Sequence, residues 1–391
     1  MHNSLRVLEI FDTYLPGTQN WIYRLISHLP DTDVVIASRH FLNCNFYSSN
    51  FEYLEFQFPL KMVETENNTL TGRVYNALAS KALWNRYHSH VTKCAGDVDV
   101  IHSHFAPVGW EYLNVAKKLK KPHVVSFYGL DYEHLPFIDG RWKKRYERLF
   151  REVDLFLCEG SFGARTLQRS GCPKDKIAVQ RLGVDVDSIP FFAREKTTGE
   201  LKLLQIASVR GKKGHIYTIK SFVDALESCP NMHLTFVGTD DEGLKGEIET
   251  VIHQCHVENK VTFFDWIDFS NLHVFMEDYH VFIHPSCYSA TRDCEGGAPI
   301  VLLDAQATGM PVIATTHCDI PDEVIHNETG LLTPERDVEG LVDSIRYFYE
   351  LDANEYRAFS ANARQHISNN FDCRKNAVEL KKIYDKCVEK R

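Results

Sequence analysis

One stretch decides the fold of this chain: Glu295-Gly296-Gly297-Ala298-Pro299-Ile300-Val301-Leu302-Leu303-Asp304-Ala305-Gln306-Ala307-Thr308-Gly309-Met310-Pro311-Val312-Ile313-Ala314. Pro299 stands near the first position of a predicted helix, where its missing N–H costs nothing. Gly309 and Pro311 are typical of the end of that helix. The apolar residues 312–314 predict the next buried strand. The stretch therefore predicts a repeating unit of an α/β fold.

The start of this predicted helix carries groups that bind sugars and phosphates. The Gly-Gly-Ala-Pro loop opens onto a helix N-terminus, whose free N–H groups and positive dipole attract phosphate. Asp304 lies between one and two turns inside the helix, where a carboxylate can accept from both hydroxyls of a ribose, and Glu295 precedes the loop. An ordinary buried unit would explain the apolar run 300–303, but not two carboxylates around a glycine pair. The stretch therefore predicts a sugar-nucleotide or phosphate site.

The bulk properties indicate a soluble protein of two domains. The chain has 391 residues, which is too long for one ordinary core. Its net charge of -9 excludes a general nucleic-acid binder. The 11 cysteines follow no disulfide framework, which is typical of reduced thiols in the cytoplasm. No histidine or cysteine spacing predicts a metal site.

The N-terminal residues predict a cytoplasmic location. Residues 5–11 form an apolar run that is typical of a first strand, and it is shorter than the core of a signal peptide. No apolar run approaches the ~18 residues that span a bilayer. We therefore expect neither a secretion signal nor a membrane span.

Apolar strands alternate with helical patterns along the whole chain, which predicts parallel sheets with helices on both faces. The polar segment 193–200 divides the chain into halves of similar build, so we expect the hinge there. Two doubly wound domains side by side create a cleft, and ligands bind such sheets at the carboxyl ends of strands. The predicted strands are 5–11, 33–37, 98–102, 123–127, 155–158, 201–209, 233–237, 260–264, 280–284 and 312–314.

Short motifs in both halves carry a family resemblance. In order along the chain they are Ile101-His102-Ser103-His104-Phe105, Tyr128-Gly129-Leu130-Asp131, Leu182-Gly183-Val184-Asp185, Lys212-Lys213-Gly214, Phe236-Val237-Gly238, Val281-Phe282-Ile283-His284-Pro285-Ser286, the Glu295 to Asp304 block and Asn327-Glu328-Thr329-Gly330-Leu331-Leu332. With this order and spacing the chain resembles the retaining glycosyltransferases of family 4. Their two Rossmann-like domains face a cleft in the GT-B arrangement. The resemblance implies an acceptor domain at 1–190, a nucleotide-sugar domain at 200–372 and a last helix, 373–391, that packs back on the first domain.

The resemblance implies that the second domain holds the nucleotide sugar, and that cations meet the leaving diphosphate. Lys213 is the expected phosphate-facing cation, although a lysine pair is also typical of a solvated turn. The family's arginine position is Ser208 here, and Arg210 stands two residues later. Glu295 is expected to face the donor sugar and Asp304 the ribose. Eight residues separate these carboxylates instead of the family's usual seven, and the second acid is usually Glu. The intervening residues expected to contact the donor are Gly296, Gly297, Ala298, Pro299 and Ile300.

Four residues of the first half are candidates for the same cleft. Gly17 follows the first strand, where the family's loop approaches the diphosphate or acceptor, although a plain turn explains it almost as well. Tyr128 stands where many relatives have a histidine, and a tyrosine donates hydrogen bonds but is no base near neutral pH. Asp131 is expected to contribute instead. His104 is expected to reach the cleft and His102 to face the other way, although a structural role would explain either histidine.

Retention in this family is usually explained by the leaving phosphate itself, which deprotonates the acceptor on the same face. The expected donor is a UDP- or GDP-sugar and the expected acceptor a glycan or lipid-linked oligosaccharide, with no cofactor and no metal. We expect no nucleic-acid partner. The basic segment 141–151 interleaves aromatic and cationic residues, which is typical of contact with an anionic membrane or of a surface helix packed on its own domain.

Two other classes of function remain open from the sequence. One is a GT-B enzyme that is not a transferase, such as a UDP-sugar epimerase or a phosphorylase. A cofactor-dependent phosphorylase would need a lysine that binds pyridoxal, and the sequence has no signature of one. The other is a non-catalytic binding subunit, which the residues at positions 128 and 208 favour and Lys213 and Glu295 oppose. The absence of Gly-x-Gly-x-x-Gly after the first strand argues against a dehydrogenase.

Overall fold

The computed structural model describes residues 4–16, 20–44, 47, 49–56 and 70–391. In this part of the chain, strands and helices alternate and the strands form two separate sheets in which every pairing is parallel. The strands are rich in Val, Ile and Leu that are fully buried, as expected of sheets covered on both faces. The predicted α/β fold with two doubly wound sheets is confirmed.

The first sheet has, in the described residues, seven strands in the order β3-β2-β1-β4-β5-β6-β7. Its strands are β1 (Leu5–Tyr14), β2 (Thr32–Phe41), β3 (Glu52–Leu54), β4 (Val100–His104), β5 (His123–Ser126), β6 (Leu155–Cys158) and β7 (Ile177–Val179). Its helices are α1 (Asn20–Ile26), α2 (Leu70–Cys94), α3 (Ala106–Leu119), α4 (Leu135–Ile138), α5 (Arg141–Glu152) and α6 (Ser161–Arg169), with a π-helical turn at Leu130–His134 and a 3₁₀ turn at Lys174–Lys176.

The second sheet has six strands among the described residues, in the order β10-β9-β8-β11-β12-β13. Its strands are β8 (Leu201–Ile206), β9 (Met232–Val237), β10 (Val261–Phe264), β11 (Val281–His284), β12 (Val312–Thr315) and β13 (Gly330–Thr333). The helices are α7 (His215–Ala225), α8 (Lys245–Gln254), α9 (Leu272–Phe275), α10 (Ile300–Ala307), α11 (Ile320–Glu323), α12 (Val338–Glu350), α13 (Ala353–Asn370) and α14 (Cys373–Glu389). Shorter 3₁₀ turns are Val186–Ser188, Gly211–Lys213, Glu258–Lys260, Phe269–Asn271 and Met276–Asp278.

Each sheet has a point at which the order of its strands reverses. In the first sheet this switch point lies between β1 and β4, and in the second between β8 and β11. Loops that leave neighbouring strands in opposite directions open a crevice at such a point, at the carboxyl ends of the strands. The loops after β1, β4, β8 and β11 are therefore where ligands are expected.

The two halves are joined at two neighbouring crossings. Leu182 packs with the first half, whereas Val184 and Val186 pack against α10 and α13 of the second. The returning chain crosses beside this one, because the N–H of Val184 donates to Phe371 O at 2.9 Å and the N–H of Cys373 donates to Val184 O at 3.0 Å.

The predicted hinge at 193–200 packs instead on the second half. The buried Arg194 guanidinium donates to the carbonyl of Thr308 at 2.6 Å and of Met276 at 2.9 Å. Lys196 is likewise buried and donates to the carbonyls of Tyr349 and Leu351. These bonds attach the segment to the second half, which the polar sequence of the segment does not reveal.

The last helix, α14, packs on the first half of the chain. Its buried Leu380 and Tyr384 share an apolar cluster with Val7 and Val100 of the first sheet. The Tyr384 hydroxyl donates to Glu9 Oε1 at 2.8 Å, so the end of the chain is bonded to the first strand. Among the described residues, no helix combines the length and the apolar character needed to traverse a bilayer.

Candidate active site

The centre of the candidate site is an ion pair at the switch point of the second sheet. Lys213 follows β8 and Glu295 follows β11, and the two side chains meet with Nζ 2.8 Å from Oε2. The backbone of Lys213 is fixed because Gln205 Nε2 donates to its carbonyl at 2.8 Å. An ammonium has three donors, so Lys213 can hold Glu295 and still donate to a phosphate.

Groups around Glu295 fix its carboxylate and keep it charged. Ser286 Oγ donates to Oε1 at 2.9 Å. Burial opposes the charge, but Lys213 and then His284 and Lys212 outweigh it and hold the pKa of Glu295 well below its ordinary value. The site therefore contains a permanent carboxylate in a buried setting, where charge interactions are strong.

His317 is a positioning residue that the sequence analysis missed. It follows β12, and its Nε2 accepts the backbone N–H of Glu295 at 3.2 Å. Its other nitrogen, Nδ1, lies 2.6 Å from Glu335 Oε1 and donates to it. His317 directly follows a buried strand, at the edge of the sheet where ligands bind, and this position could have identified it from the sequence.

Arg210 does not join the Lys213–Glu295 pair. It is half-exposed and its Nε donates to Asp241 Oδ2 at 3.0 Å. Lys212 also points elsewhere, because its Nζ contacts Asp293 at 3.1 Å and donates to the carbonyl of Cys294 at 3.0 Å. Lys213 is therefore the member of this basic run that faces Glu295.

The Gly-Gly pair of the donor loop lies against the first half of the chain. Gly296 has φ +81°, and a Cβ there would lie 2.1 Å from Gly129 Cα. A Cβ at Gly297 would lie 2.2 Å from Glu159 Oε2. Glycine is required at 296 because the backbones of the two halves touch there, and at 297 the space for a Cβ is taken by the Glu159 side chain. Ala298 packs against the core of the second half, and Pro299 occupies the N-cap position of α10, whose first residue is Ile300.

Asp304 lies between the two halves on α10. Its Oδ1 accepts from Arg24 Nη1 of α1 at 3.2 Å and lies 2.9 Å from His273 Nε2. Burial opposes its charge, but Arg24 and His273 together lower the pKa of the carboxyl. Asp304 is therefore a charged carboxylate, held from both sides of the cleft, in the helix that follows Glu295.

The first half contributes a chain of hydrogen bonds that ends at Tyr128. Glu9 Oε2 lies 2.8 Å from His104 Nε2, and His104 Nδ1 lies 2.8 Å from the Tyr128 hydroxyl. Burial and the neighbouring His102 lower the pKa of His104 to about 4, so the ring is neutral near pH 7. A neutral ring that donates to a carboxylate must accept at its other nitrogen. The Tyr128 hydroxyl therefore donates to His104.

Asp131 serves the backbone instead of the cleft. The carboxylate is fully buried and accepts the N–H of Ala106 at 3.0 Å and of Tyr128 at 2.9 Å. These bonds cap the start of α3 and fix the Tyr128 loop. Gly17 lies outside the described residues.

Among the described residues, one group of three side chains has metal-ligating atoms close together: Glu9, His102 and His104. Their nitrogens and oxygens are engaged with one another or with hydroxyls. The expectation that His102 faces away from His104 is wrong, because both rings contact Glu9 Oε2 and residues i and i+2 of a strand share a face. His102 Nδ1 lies 2.6 Å from the Tyr384 hydroxyl and its Nε2 lies 2.7 Å from Ser126 Oγ. A metal would have to displace these hydrogen bonds, so the geometry is that of a buried polar network.

Acidic side chains line a second contact between the halves. The N–H of Phe162, at the start of α6, donates to Asp319 Oδ1 at 2.6 Å, and the N–H of Ser161 donates to Asp322 Oδ2 at 3.1 Å. Burial raises the pKa of Asp319 to about 6, and burial followed by Glu159 raises the pKa of the neighbouring Glu323. On the same interface, Arg292 Nη2 lies 2.7 Å from Glu133 Oε2.

Two family models match consecutive parts of the chain. The model described as "Glycosyltransferase Family 4" matches residues 16–188, and the model described as "Glycosyl transferases group 1" matches residues 188–366. Their common boundary lies close to the first crossing between the two halves.

Curated relatives match the chain at moderate identity. A putative colanic acid biosynthesis glycosyltransferase, WcaL of Escherichia coli (strain K12), is 29% identical over 280 residues, which cover 70% of this chain and 67% of that protein. The amylovoran biosynthesis glycosyltransferase AmsK of Erwinia amylovora is 28% identical over 247 residues, 63% of this chain and 60% of that protein.

Solved structures share the whole fold. A glycosyltransferase from Rickettsia africae ESF-5 superposes with a TM-score of 0.77 at 16% identity and covers 100% of both chains. Anabaena Alr3699/HepE, in complex with UDP and glucose, superposes with a TM-score of 0.71 at 15% identity, covering 97% of this chain and 99% of that one.

Proposed function

The chain belongs to the group 1 and family 4 glycosyltransferases, and from that premise we propose that it transfers a sugar, with retention, from a nucleotide-sugar donor to a glycan or lipid-linked oligosaccharide during polysaccharide assembly. The observation that carries the proposal is the buried pair of Lys213 and Glu295 at the switch point of the second sheet. A cation there meets the charge that develops on a leaving diphosphate.

The proposed reaction needs no residue to form a covalent bond with the sugar. The bond from the anomeric carbon to the diphosphate breaks while a bond to the acceptor oxygen forms on the same face. The acceptor proton passes to the departing phosphate oxygen. Lys213 stabilises that phosphate, Glu295 accepts from hydroxyls of the donor sugar, and the N-terminus of α10 adds its dipole.

UDP is the favoured nucleotide, because a structural relative of the same fold is described with UDP and glucose. Asp304 lies in the helix after Glu295, where it is proposed to face the ribose. No metal is part of this proposal, since the cationic Lys213 and a helix terminus supply the positive charge.

The proposed acceptor is a surface polysaccharide precursor, because two curated relatives are named for colanic acid and amylovoran biosynthesis. A peripheral contact with the cytoplasmic face of the membrane is proposed at α4 and α5. There the exposed Phe137 and Ile138 lie beside the exposed Lys143 and Lys144, while the other face of α5 is buried. Failure to co-sediment with phosphatidylglycerol vesicles would contradict the membrane contact.

The first test is a thermal-shift screen against UDP, GDP and their sugars, with and without a chelator. A ligand at 100 times its Kd stabilises the folded protein by about 2.7 kcal/mol. We expect a selective shift with UDP and one UDP-sugar, unchanged by the chelator; a shift with GDP or a GDP-sugar alone would overturn the choice of UDP. The absence of any shift would contradict the donor site.

Nuclear magnetic resonance of the reaction mixture then distinguishes retaining transfer from inverting transfer and from epimerisation of the donor. With a glycan acceptor, the new anomeric signal should have the configuration of the donor. An inverted product, or conversion of the donor to an epimer without an acceptor, would contradict a retaining transferase.

A further inference from the structure

Two cysteines lie beside the Lys213–Glu295 pair, in two neighbouring loops of the second half. Cys294 directly precedes Glu295 in the loop after β11, and Cys318 directly follows His317 in the loop after β12. The two strands are paired, so the loops that follow them lie side by side. We call these two cysteines the site thiols. The proposed reaction uses neither of their sulfur atoms.

The site thiols touch each other. The thiol of Cys294 is within hydrogen-bonding contact of the thiol of Cys318. All eleven cysteines of the chain are free, so this pair is in the reduced state. A disulfide holds its two sulfur atoms about 2.05 Å apart. Two thiols that are already in contact need only a small displacement to form one.

The two sulfur atoms differ in their access to solvent. Cys294 is fully buried, and its Sγ donates to the carbonyl of Gly129 in the first half at 3.5 Å. Cys318 is half-buried and reaches the surface. A thiol reagent therefore meets Cys318 first, and Cys294 lies behind it. An accessible thiol next to a second, resolving thiol is typical of cysteines that sense oxidants.

His317 is placed to take the proton of Cys318. Its Nε2 lies 3.2 Å from Cys318 Sγ and, because Nδ1 donates to Glu335, Nε2 accepts from the thiol. Burial and then the Cys294 thiol raise the pKa of Cys318. The thiol is therefore protonated at rest, and it becomes the reactive thiolate when Nε2 takes its proton.

A bridge between the site thiols would disturb the donor loop. The backbone N–H of Gly296 donates to the Cys318 sulfur, and a Cβ at Gly129 would lie 2.5 Å from Cys294 O. A disulfide removes the S–H that Cys294 donates to the first half and draws the two loops together. Glu295 is the next residue after Cys294 and must move with it.

We propose that Cys294 and Cys318 form an oxidative modification site, at which glutathione disulfide closes a reversible disulfide bridge that switches the enzyme off. The formation of the bridge is independent of the proposed transferase function, whereas its effect on turnover rests on that function.

The proposed modification consists of two thiol–disulfide exchanges. The proton of Cys318 passes to His317 Nε2, and the thiolate attacks one sulfur of glutathione disulfide. A bond from Cys318 to glutathione forms, the bond within the oxidant breaks, and one glutathione leaves with the proton from Nε2. Cys294 then attacks Cys318 Sγ, and the second glutathione leaves with the proton of Cys294. Two thiols are oxidised to one disulfide, and one glutathione disulfide is reduced to two glutathiones.

The first test is mass spectrometry of the full wild-type chain after incubation with glutathione disulfide. Cleavage after Glu295 separates the two cysteines, and we expect the resulting peptides to be joined by a bridge between Cys294 and Cys318. Cys255 is exposed and lies outside the site, so glutathione on Cys255 is the internal control for reaction with the oxidant. Modified Cys255 without a bridge between the site thiols would overturn the proposal.

Turnover of a nucleotide sugar then shows whether the bridge is a switch. Oxidised wild type should turn over about 100-fold more slowly than reduced wild type, as for a displacement of about 1 Å in a positioned group. Dithiothreitol should restore the rate. In Cys294→Ser and Cys318→Ser the oxidised and reduced rates should be equal, whereas the control Cys255→Ser should respond as wild type does. Full turnover by the bridged protein would overturn the proposal.

UDP-induced stabilisation of the reduced wild type, measured in the same samples, tests the transferase function separately. Its absence would contradict that function and, with it, the effect of the bridge on turnover. The bridge itself is still decided by mass spectrometry, which needs neither a substrate nor a variant.

Discussion

At the scale of single residues, the role of Lys213 is the most direct to test. Its ammonium is held by Glu295 at 2.8 Å and faces the start of the donor loop. Lys213→Ala should lower kcat by about 100- to 1000-fold, as for the loss of one donor to a developing negative charge. Steady-state kinetics with a nucleotide sugar measure it, and Lys220→Ala on the exposed face of α7 is the control. A folded Lys213→Ala protein with normal turnover would exclude the phosphate role.

The same pair shows which site residues a sequence can predict. Lys213 and Glu295 could be brought together because both follow strands, β8 and β11, that are neighbours at a switch point. The position of Arg210 could not be predicted, because the 3₁₀ turn Gly211–Lys213 decides the direction of each basic side chain. Asp131 was expected in the cleft, but its use as a cap depends on how α3 begins, which is a matter of tertiary packing.

At the scale of elements, α14 is tied to the first sheet by one buried hydroxyl. The Tyr384 hydroxyl donates to Glu9 and lies 2.6 Å from His102 Nδ1. Tyr384→Phe keeps the ring but removes this partner from two buried groups. The free energy of unfolding should fall by about 1–3 kcal/mol. Denaturant unfolding measures it, with the exposed Tyr347→Phe as control; equal stability of the two variants would show that the hydroxyl contributes nothing.

Element boundaries also separate what the sequence predicts from what it does not. The long apolar strands were predicted within a few residues, and 155–158 coincides with β6. The strands β3, β7 and β13 were missed; all three lie at the edges of their sheets. The packing of segment 193–200 on the second half was not predicted, because the segment is polar while its Arg194 and Lys196 are buried by bonds to carbonyls that no local pattern reveals.

At the scale of the whole molecule, the acidic contact between the halves predicts that the stability of the folded protein depends on pH. Burial raises the pKa of Asp319 to about 6, and burial and Glu159 raise the pKa of Glu323. A raised carboxyl pKa means that the folded state binds more protons than the unfolded chain. The stability this contributes is complete below about pH 4 and, for Asp319, is lost as the pH rises through about 6.

Glu323→Gln tests this dependence, because the amide resembles the protonated acid. Glu323 is buried, and its Oε2 has no hydrogen-bond partner in the described part of the chain. The variant should gain about 1–3 kcal/mol over wild type at pH 8 and much less at pH 5. Thermal unfolding across this range measures it, with the exposed Glu195→Gln as control. A gain that is equal at both pH values would contradict the raised pKa of Glu323.

The paired crossings at Val184 and Phe371 have the arrangement of a hinge between the two halves of the chain. The two segments run side by side and are bonded to each other, so we expect them to bend more easily than they slide past each other. We therefore expect the two halves to open by rotation about an axis through these crossings. In such a rotation each residue moves in proportion to its distance from the axis, so Leu182, beside the axis, should move little. Pairs that span the two halves, such as Arg292 and Glu133, should separate. Two spectroscopic labels placed at such a pair would report the angle between the two halves.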